Sequence, residues 1–361
     1  MLINQVMHRS IRSKFGSENL KLVNIPFMKS LTKRVSDFIA TCMMVSAIAA
    51  GSAAAPSVLA ETPPQQKVQA PGYFRMALGK FEVTALYDGS VDIDSSLLSG
   101  ASKKTIQSSL AQSFVSDSKA IQTAVNAYLV HTDKNLILID TGTAKLFGPN
   151  LGFVPENLRA AGYEPAQIDT ILLTHLHPDH AGGLLTPAGA MAFPNAQVFV
   201  SRADADYWLS ETKAASAPKD QQALFKMSRD AVAPYLAAGK LTIFDAGQKI
   251  RDGVTEIPAS GHTPGHSAYL VSSEGQGLLV WGDIVHSLAV QFPHPEVAIE
   301  FDWNLKKAVA TRRRILAFAA SQKIWIAGAH MPFPGIGHVR LNSATAYVWV
   351  PAEYHRLRDA R

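Results

Sequence analysis

Alternating apolar and polar positions open the readable part of this chain. Tyr73–Leu78 and Phe81–Tyr87 alternate as half-buried strands do, separated by Gly79-Lys80, and Asp88-Gly89 marks a turn after them. Ala124–His131 and Leu136–Asp140 form a second pair around Asp133-Lys134-Asn135, the pattern of a hairpin. Beyond them, the short apolar runs Ile171–Leu173, Val254–Pro258, Gly277–Val280 and Ile324–Ala329 interleave with stretches of helical composition. Those stretches are Val154–Ala161, Arg202–Ser210, Asp220–Ala238 and Asn304–Ala320, the last with Asp302 as its expected cap. The pattern specifies mixed α/β with short strands, and no repeat at solenoid spacing interrupts it. The apolar, aromatic run Ala346–Val350 fits a buried strand or the edge of a homodimer equally well.

The first sixty residues follow a different pattern. Lys29, Lys33 and Arg34 precede the apolar stretch Phe38–Ala50, and Val58-Leu59-Ala60 offers small residues at a cleavage point, which together read as an export signal. The apolar stretch is shorter than the roughly 20 residues a bilayer span needs, so the expectation is a cleaved leader and no stable membrane anchor. Met28-Lys29 would be the usual start of such a leader. The expected organisation is a leader over 1–60, a polar linker over 61–70 and one domain over 71–361, in a periplasmic or secreted protein. Removing the leader also changes the charge. It holds seven of the 34 Lys/Arg and two of the 29 Asp/Glu, which leaves 27 of each and no basic excess for nucleic acid. The single cysteine, Cys42, lies in the leader, so the domain has neither a disulfide nor a thiol nucleophile.

The chemistry concentrates at Thr174-His175-Leu176-His177-Pro178-Asp179-His180, directly after the apolar run Ile171–Leu173. Alternation puts His175 and His177 on one face, and the turn at Pro178 brings Asp179 and His180 to a second position. One metal ion can sit on each pair. A hydrolytic site needs further ligands plus an open position, and they follow in order. His262 lies in Gly261-His-Thr-Pro-Gly-His266 after Val254–Pro258, Asp283 in Trp281-Gly282-Asp283 after Gly277–Val280, and His330 after Ile324–Ala329. Four strand ends thus carry seven ligand-type side chains.

This ordered set resembles the metallo-β-lactamase fold superfamily, over roughly Pro71 to Tyr354. The resemblance implies a four-layer αβ/βα sandwich and two divalent metal ions, zinc by default, with manganese, iron or cobalt also suited to nitrogen and oxygen ligands. It implies His175, His177 and His262 on the first ion, Asp179, His180 and His330 on the second, and Asp283 bridging both around a shared hydroxide. His266 and His338 fall outside the ligand set, as supporting residues.

Leu136–Gly142, Leu146–Pro149, Asp206–Ser210, Ala289–Phe292 and Phe333–His338 look like the methyl parathion hydrolase group of that superfamily, which includes lactonases and organophosphate hydrolases. By that resemblance Phe147, Trp208 and Phe225 form the aromatic wall of a substrate pocket. The residue three after Asp283 is His286, where phosphotriesterase members resemble an apolar slot and homoserine-lactone lactonases typically have Tyr. An imidazole there can bond an acyl oxygen or serve a departing oxygen, while it crowds a dialkyl phosphate. The resulting expectation is a metal-dependent hydrolase of lactones and aryl esters of the dihydrocoumarin kind. Asp179, Asp283 and His286 serve catalysis, and phosphotriester hydrolysis is a side activity. A methyl-parathion-type hydrolase and an acyl-homoserine lactone lactonase are the alternatives. A β-lactam hydrolase, a glyoxalase-type thioesterase and a non-catalytic metal protein are disfavoured by the two aspartates, by export and by the complete ligand set respectively.

Overall fold

The computed structural model describes residues 62–355 and 357, so the expected leader, its cleavage point, Met28 and Cys42 lie outside the described residues. Residues 62–70 are exposed and carry neither helix nor strand. Among the described residues, no helix is long and apolar enough to cross a membrane.

Two seven-stranded sheets organise the domain. The first runs in chain order through β1 (Tyr73–Leu78), β2 (Phe81–Ile93), β3 (Ile121–His131), β4 (Leu136–Ile139), β5 (Thr170–Leu172), β6 (Gln197–Ser201) and β7 (Leu241–Phe244). The second runs in the same sequential way through β8 (Lys249–Arg251), β9 (Val254–Pro258), β10 (Ser267–Ser273), β11 (Gln276–Val280), β12 (Trp325–Ala327), β13 (Ile336–Leu341) and β14 (Tyr347–Pro351). β1 to β4 pair antiparallel, whereas β4 to β7 are parallel and need helical crossovers. In the second sheet only β11 and β12 are parallel, and the helix Leu305–Gln322 makes that crossover.

Alternation within strands explains the layers. Tyr128, Val130, Ile137 and Ile139 point between the sheets, where they meet Tyr269, Val271, Leu278 and Ala327 of the other sheet. Their neighbours Leu129 and Leu138 point outward against Leu158, Phe225, Val232 and Tyr235 of the helices. On the far side, Leu279, Trp281 and Ile326 pack on Ile315, Leu316 and Ala319. Helix, sheet, sheet and helix make the expected αβ/βα sandwich.

Two expectations change. β2 does not turn at Asp88-Gly89 but runs through it, with a register shift between Tyr87 and Gly89 that marks a bulge. Gly89 has φ +136°, and a Cβ there would come within 2.0 Å of the Asn150 carbonyl oxygen, so the bulge needs glycine. The cap of Leu305–Gln322 is Asn304, whose side chain accepts from the Lys307 N–H, and not Asp302. Asp302 has another partner, described next.

Candidate metal centre

Beyond β5 the chain bends at Thr174 and runs without helix or strand to His177, which is itself extended. Leu176 is fully buried in the helix-side core, so its neighbours His175 and His177 face away from that core, their ring centroids 4.6 Å apart. His177 then caps a one-turn helix, Pro178–Ala181, with Pro178 at its first position. That turn swings Asp179 and His180 to the second position.

The second sheet delivers its side chains singly, from the ends of β9, β11 and β12. Gly282 precedes Asp283 with φ +56°, and a Cβ on it would come within 2.5 Å of His266 Nε2. The gap matters, because the Asp283 N–H donates to that nitrogen at 3.0 Å while His266 Nδ1 donates to the Ala259 carbonyl. His266 therefore spends both ring nitrogens on holding the Asp283 turn. His338 donates to the Ile324 carbonyl and lies against Trp325, taking no part in the cluster.

Two groups of donor atoms result, His175, His177, His262 and Asp283 in one and Asp179, His180, Asp283 and His330 in the other, each with its atoms within 4.8 Å of one another. Asp283 belongs to both. Its Oδ1 lies 3.0 Å from His180 Nε2, and its Oδ2 lies 3.1 Å from His262 Nε2, 3.1 Å from His330 Nε2 and 3.7 Å from His175 Nε2. Asp179 Oδ2 stands 3.4 Å from both His180 and His330. His175 Nε2, His180 Nε2 and Asp283 Oδ1 are buried without a hydrogen-bond partner. Buried polar atoms are normally satisfied, so lone pairs converging in this way fit a pair of cations.

Outer partners fix the rings. His180 Nδ1 donates to Asp140 Oδ2 at 2.8 Å, His262 Nδ1 to Asp302 Oδ1 at 2.9 Å, and His330 Nδ1 to the Ala124 carbonyl at 2.8 Å. Each contact commits Nδ1 and leaves Nε2 for the centre. Sequence reading assigned no role to Asp140 and the wrong one to Asp302. Asp140 ends the Leu136–Asp140 run with φ +60°, an unusual backbone that also lets it accept from the Thr174 N–H.

Burial opposes charge throughout the cluster, yet its histidines divide. Desolvation keeps His175 and His177 well below the ordinary imidazole range and takes His266 down to about 3 and His286 to about 4. For His180, His262 and His330 the same desolvation is outweighed by Asp283 and a second carboxylate, which holds His180 well up and raises His262 to about 9 and His330 to about 10. Conversely, the surrounding imidazoles overcome burial at Asp179 and Asp283 and hold both carboxyls well below their usual range. The carboxylates draw positive charge onto three imidazoles; divalent cations would meet the same demand with those rings neutral.

The residues expected at the substrate divide as well. His286 turns inward, its Nε2 3.1 Å from Asp283 Oδ2, its ring stacked on His330 with centroids 5.0 Å apart, and its Nδ1 buried without a partner. Trp208 meets the His177 ring edge-on at 5.0 Å. Phe225 is only 1 % exposed and packs against Trp208 and Tyr207, in the same aromatic cluster. Phe147 is half-buried on the loop that follows β4, beside Leu146, which lies against Gly182 at the end of the Asp179 turn. Trp303, which no sequence motif marks, is 47 % exposed with its ring 6.3 Å from Tyr207, and its backbone N–H donates to the His262 carbonyl. An exposed tryptophan beside a motif histidine was a signal only the fold could reveal.

A family model described as the Metallo-beta-lactamase superfamily matches residues 120–320. Among curated relatives, the N-acyl homoserine lactonase of Bacillus thuringiensis is 25% identical over 245 residues, 60% of this chain and 89% of its own. The uncharacterized protein YobT of Bacillus subtilis is 29% identical over 206 residues, 55% of this chain and 80% of its own. Among solved structures, hydrolase AbOPH of the beta lactamase superfamily is 41% identical with a TM-score of 0.77, covering 80% of this chain and all (100%) of its own. AidC, a dizinc quorum-quenching lactonase in complex with a product homoserine, is 28% identical with a TM-score of 0.73, covering 79% and 99%.

Proposed function

The chain belongs to the metallo-beta-lactamase superfamily and is a metal-dependent hydrolase, and from that membership and the site geometry we propose that it opens lactones and aryl esters at a dinuclear centre. The observation that carries this reading is the shared Asp283, whose two oxygens stand 3.0–3.1 Å from histidines of both groups. His175, His177 and His262 would hold one ion, Asp179, His180 and His330 the other, and Asp283 both. Zinc is the assigned ion, in line with the dizinc neighbour AidC.

When bound, such a pair supplies Lewis acidity and a nucleophile at neutral pH. The side chains supply orientation and selectivity. Asp179, with its side chain 25% exposed against 2% for Asp283, is the carboxylate that meets solvent and orients the attacking water. His286, neutral because burial outweighs Asp283, directs Nε2 at Asp283 Oδ2 from 3.1 Å; with Asp283 engaged by the ions, that single N–H would be free to donate to the acyl or departing oxygen. The row of rings from His177 through Trp208 and Tyr207 to Trp303 gives an apolar substituent a path from the centre to the surface.

Aromatic lactones of the dihydrocoumarin kind are the leading substrate class. N-acyl homoserine lactones are the second reading, favoured by the relatives that carry that name. Phosphotriester hydrolysis is assigned as a side activity, because the inward His286 polarises and narrows the space a dialkyl phosphate needs. The test is kcat/KM of the zinc-loaded protein on dihydrocoumarin, a long-chain homoserine lactone and methyl parathion, side by side. Preference for a lactone supports the proposal; clear preference for methyl parathion removes it.

A further inference from the structure

Ser201-Arg202-Ala203-Asp204 has the spacing of a capping box, in which a serine caps a helix and an acidic residue three positions later reaches back to the cap. The helix Arg202–Trp208 does have Ser201 as its cap, with the Ser201 hydroxyl accepting from the Asp204 N–H. The carboxylate of Asp204, however, goes elsewhere. It is fully buried, and its Oδ2 accepts from the Leu176 N–H at 2.9 Å while its Oδ1 accepts from the Gly265 N–H at 2.7 Å.

Those two donors lie on different sheets' loops. Leu176 is the residue between His175 and His177, and Gly265 stands three residues after His262. Ser201 completes the grip by donating from Oγ to the Gly265 carbonyl at 2.6 Å, so both backbone polar atoms of Gly265 are held at one helix end. A Cβ on Gly265 would come within 2.2 Å of Ser201 Oγ and 2.3 Å of the Asp204 nitrogen, so glycine is what lets the loop approach. The second group has no such tie to Asp204; its His180 and His330 are held by Asp140 and Ala124 instead. Burial raises the Asp204 carboxyl to about 6, against the opposing pull of the Gly265 and Leu176 N–H donors.

We propose that Asp204 is a positioning residue that joins the His175–His177 loop to the His262 loop and thereby sets the spacing of the first metal group alone. This rests on the dinuclear reading of the site. Helix capping does not account for the geometry, because the carboxylate makes no return to its own cap. A purely stabilising role would lower the unfolding temperature and leave both metal affinities unchanged in the folded protein.

The test is stepwise zinc release from the full chain to a chromogenic chelator, with Asp302→Asn, which loosens His262, marking the step that belongs to the first group. In Asp204→Asn one carboxylate oxygen becomes an amide donor facing a backbone N–H. The expected result is a roughly 10–100-fold weaker affinity in the Asp302-marked step, the usual effect of losing an outer partner of a metal ligand, with the other step unchanged. Equal weakening of both steps, or no change in either, overturns the proposal. Should Asp204→Asn fail to fold, Ser201→Ala removes the second half of the grip; a smaller loss confined to the same step supports the proposal and an unchanged step overturns it. Absence of lactone turnover in a wild-type protein holding two zinc ions would remove the functional reading and leave this positioning test intact.

Discussion

The two sheets contribute to the centre in different ways. The first supplies His175, His177, Asp179 and His180 from a single turn after β5, whereas the second supplies His262, Asp283 and His330 from three separate strand ends. A local turn can place two ligand pairs by its own backbone geometry. Three side chains from three strands are brought to that turn only when the second sheet has formed and packed on the first. The centre is therefore a joint between the sheets, and metal binding should report on their packing as much as on the ligands themselves.

Breaking the joint at its middle should have the largest effect. Asp283→Ala removes the carboxylate that faces histidines from both sheets, and should cost metal content as well as turnover. The several kcal/mol of charge stabilisation at stake correspond to a loss of about a thousandfold or more in kcat/KM. Elemental analysis beside kinetics checks it: full metal content with lost turnover would show that Asp283 is not the shared ligand.

Next come the outer carboxylates, which distinguish the sheets. Asp302→Asn loosens His262 from the second sheet and Asp140→Asn loosens His180 from the first, each with an expected loss of about 10–100-fold in metal affinity. Chelator competition should show the two variants affecting different steps of release. A common effect on both steps would mean that the groups are not separable.

These residues also show where the sequence was legible. The His175–His180 cluster could be read directly, because alternation and a proline turn act over six residues. The later members of the cluster were legible as strand ends, since each follows a short apolar run. Asp302 was read as a helix cap, a sound local inference that tertiary structure overrides: Asn304 takes the cap and Asp302 reaches His262. Asp88-Gly89 was read as a turn for the same kind of reason, yet the strand continues through a bulge whose glycine meets Asn150, 61 positions along the chain. Phe225 packs on Trp208, a contact between residues 17 positions apart that no local pattern marks. The Ala346–Val350 run pairs as β14 at the edge of its sheet.

A smaller, selective effect is expected at the rim. Trp303→Ala should lower kcat/KM roughly tenfold on lactones with long or aromatic substituents and change little on a small unsubstituted lactone, as one apolar contact site does in a specificity pocket. Equal loss on both substrates would place Trp303 in support of the His262 loop and not against the substrate.

The smallest effect is one of pH. His262, raised to about 9, and His330, raised to about 10, carry protons at pH 7 that must leave when a cation takes their Nε2 atoms. Metal uptake should therefore release protons at pH 7, and the release should fade as pH rises through about 9 to 10, where the rings are already neutral. Apparent affinity should climb over the same range. Calorimetry in buffers of different ionisation enthalpy reads this directly, and heats independent of buffer would contradict it.

The most direct test of the dinuclear, Asp283-sharing centre is dihydrocoumarin turnover measured while metal-free protein is titrated with zinc. Two cooperating ions predict that activity continues to rise through the second equivalent and then stops. Full activity at one equivalent, or none at two, would contradict it.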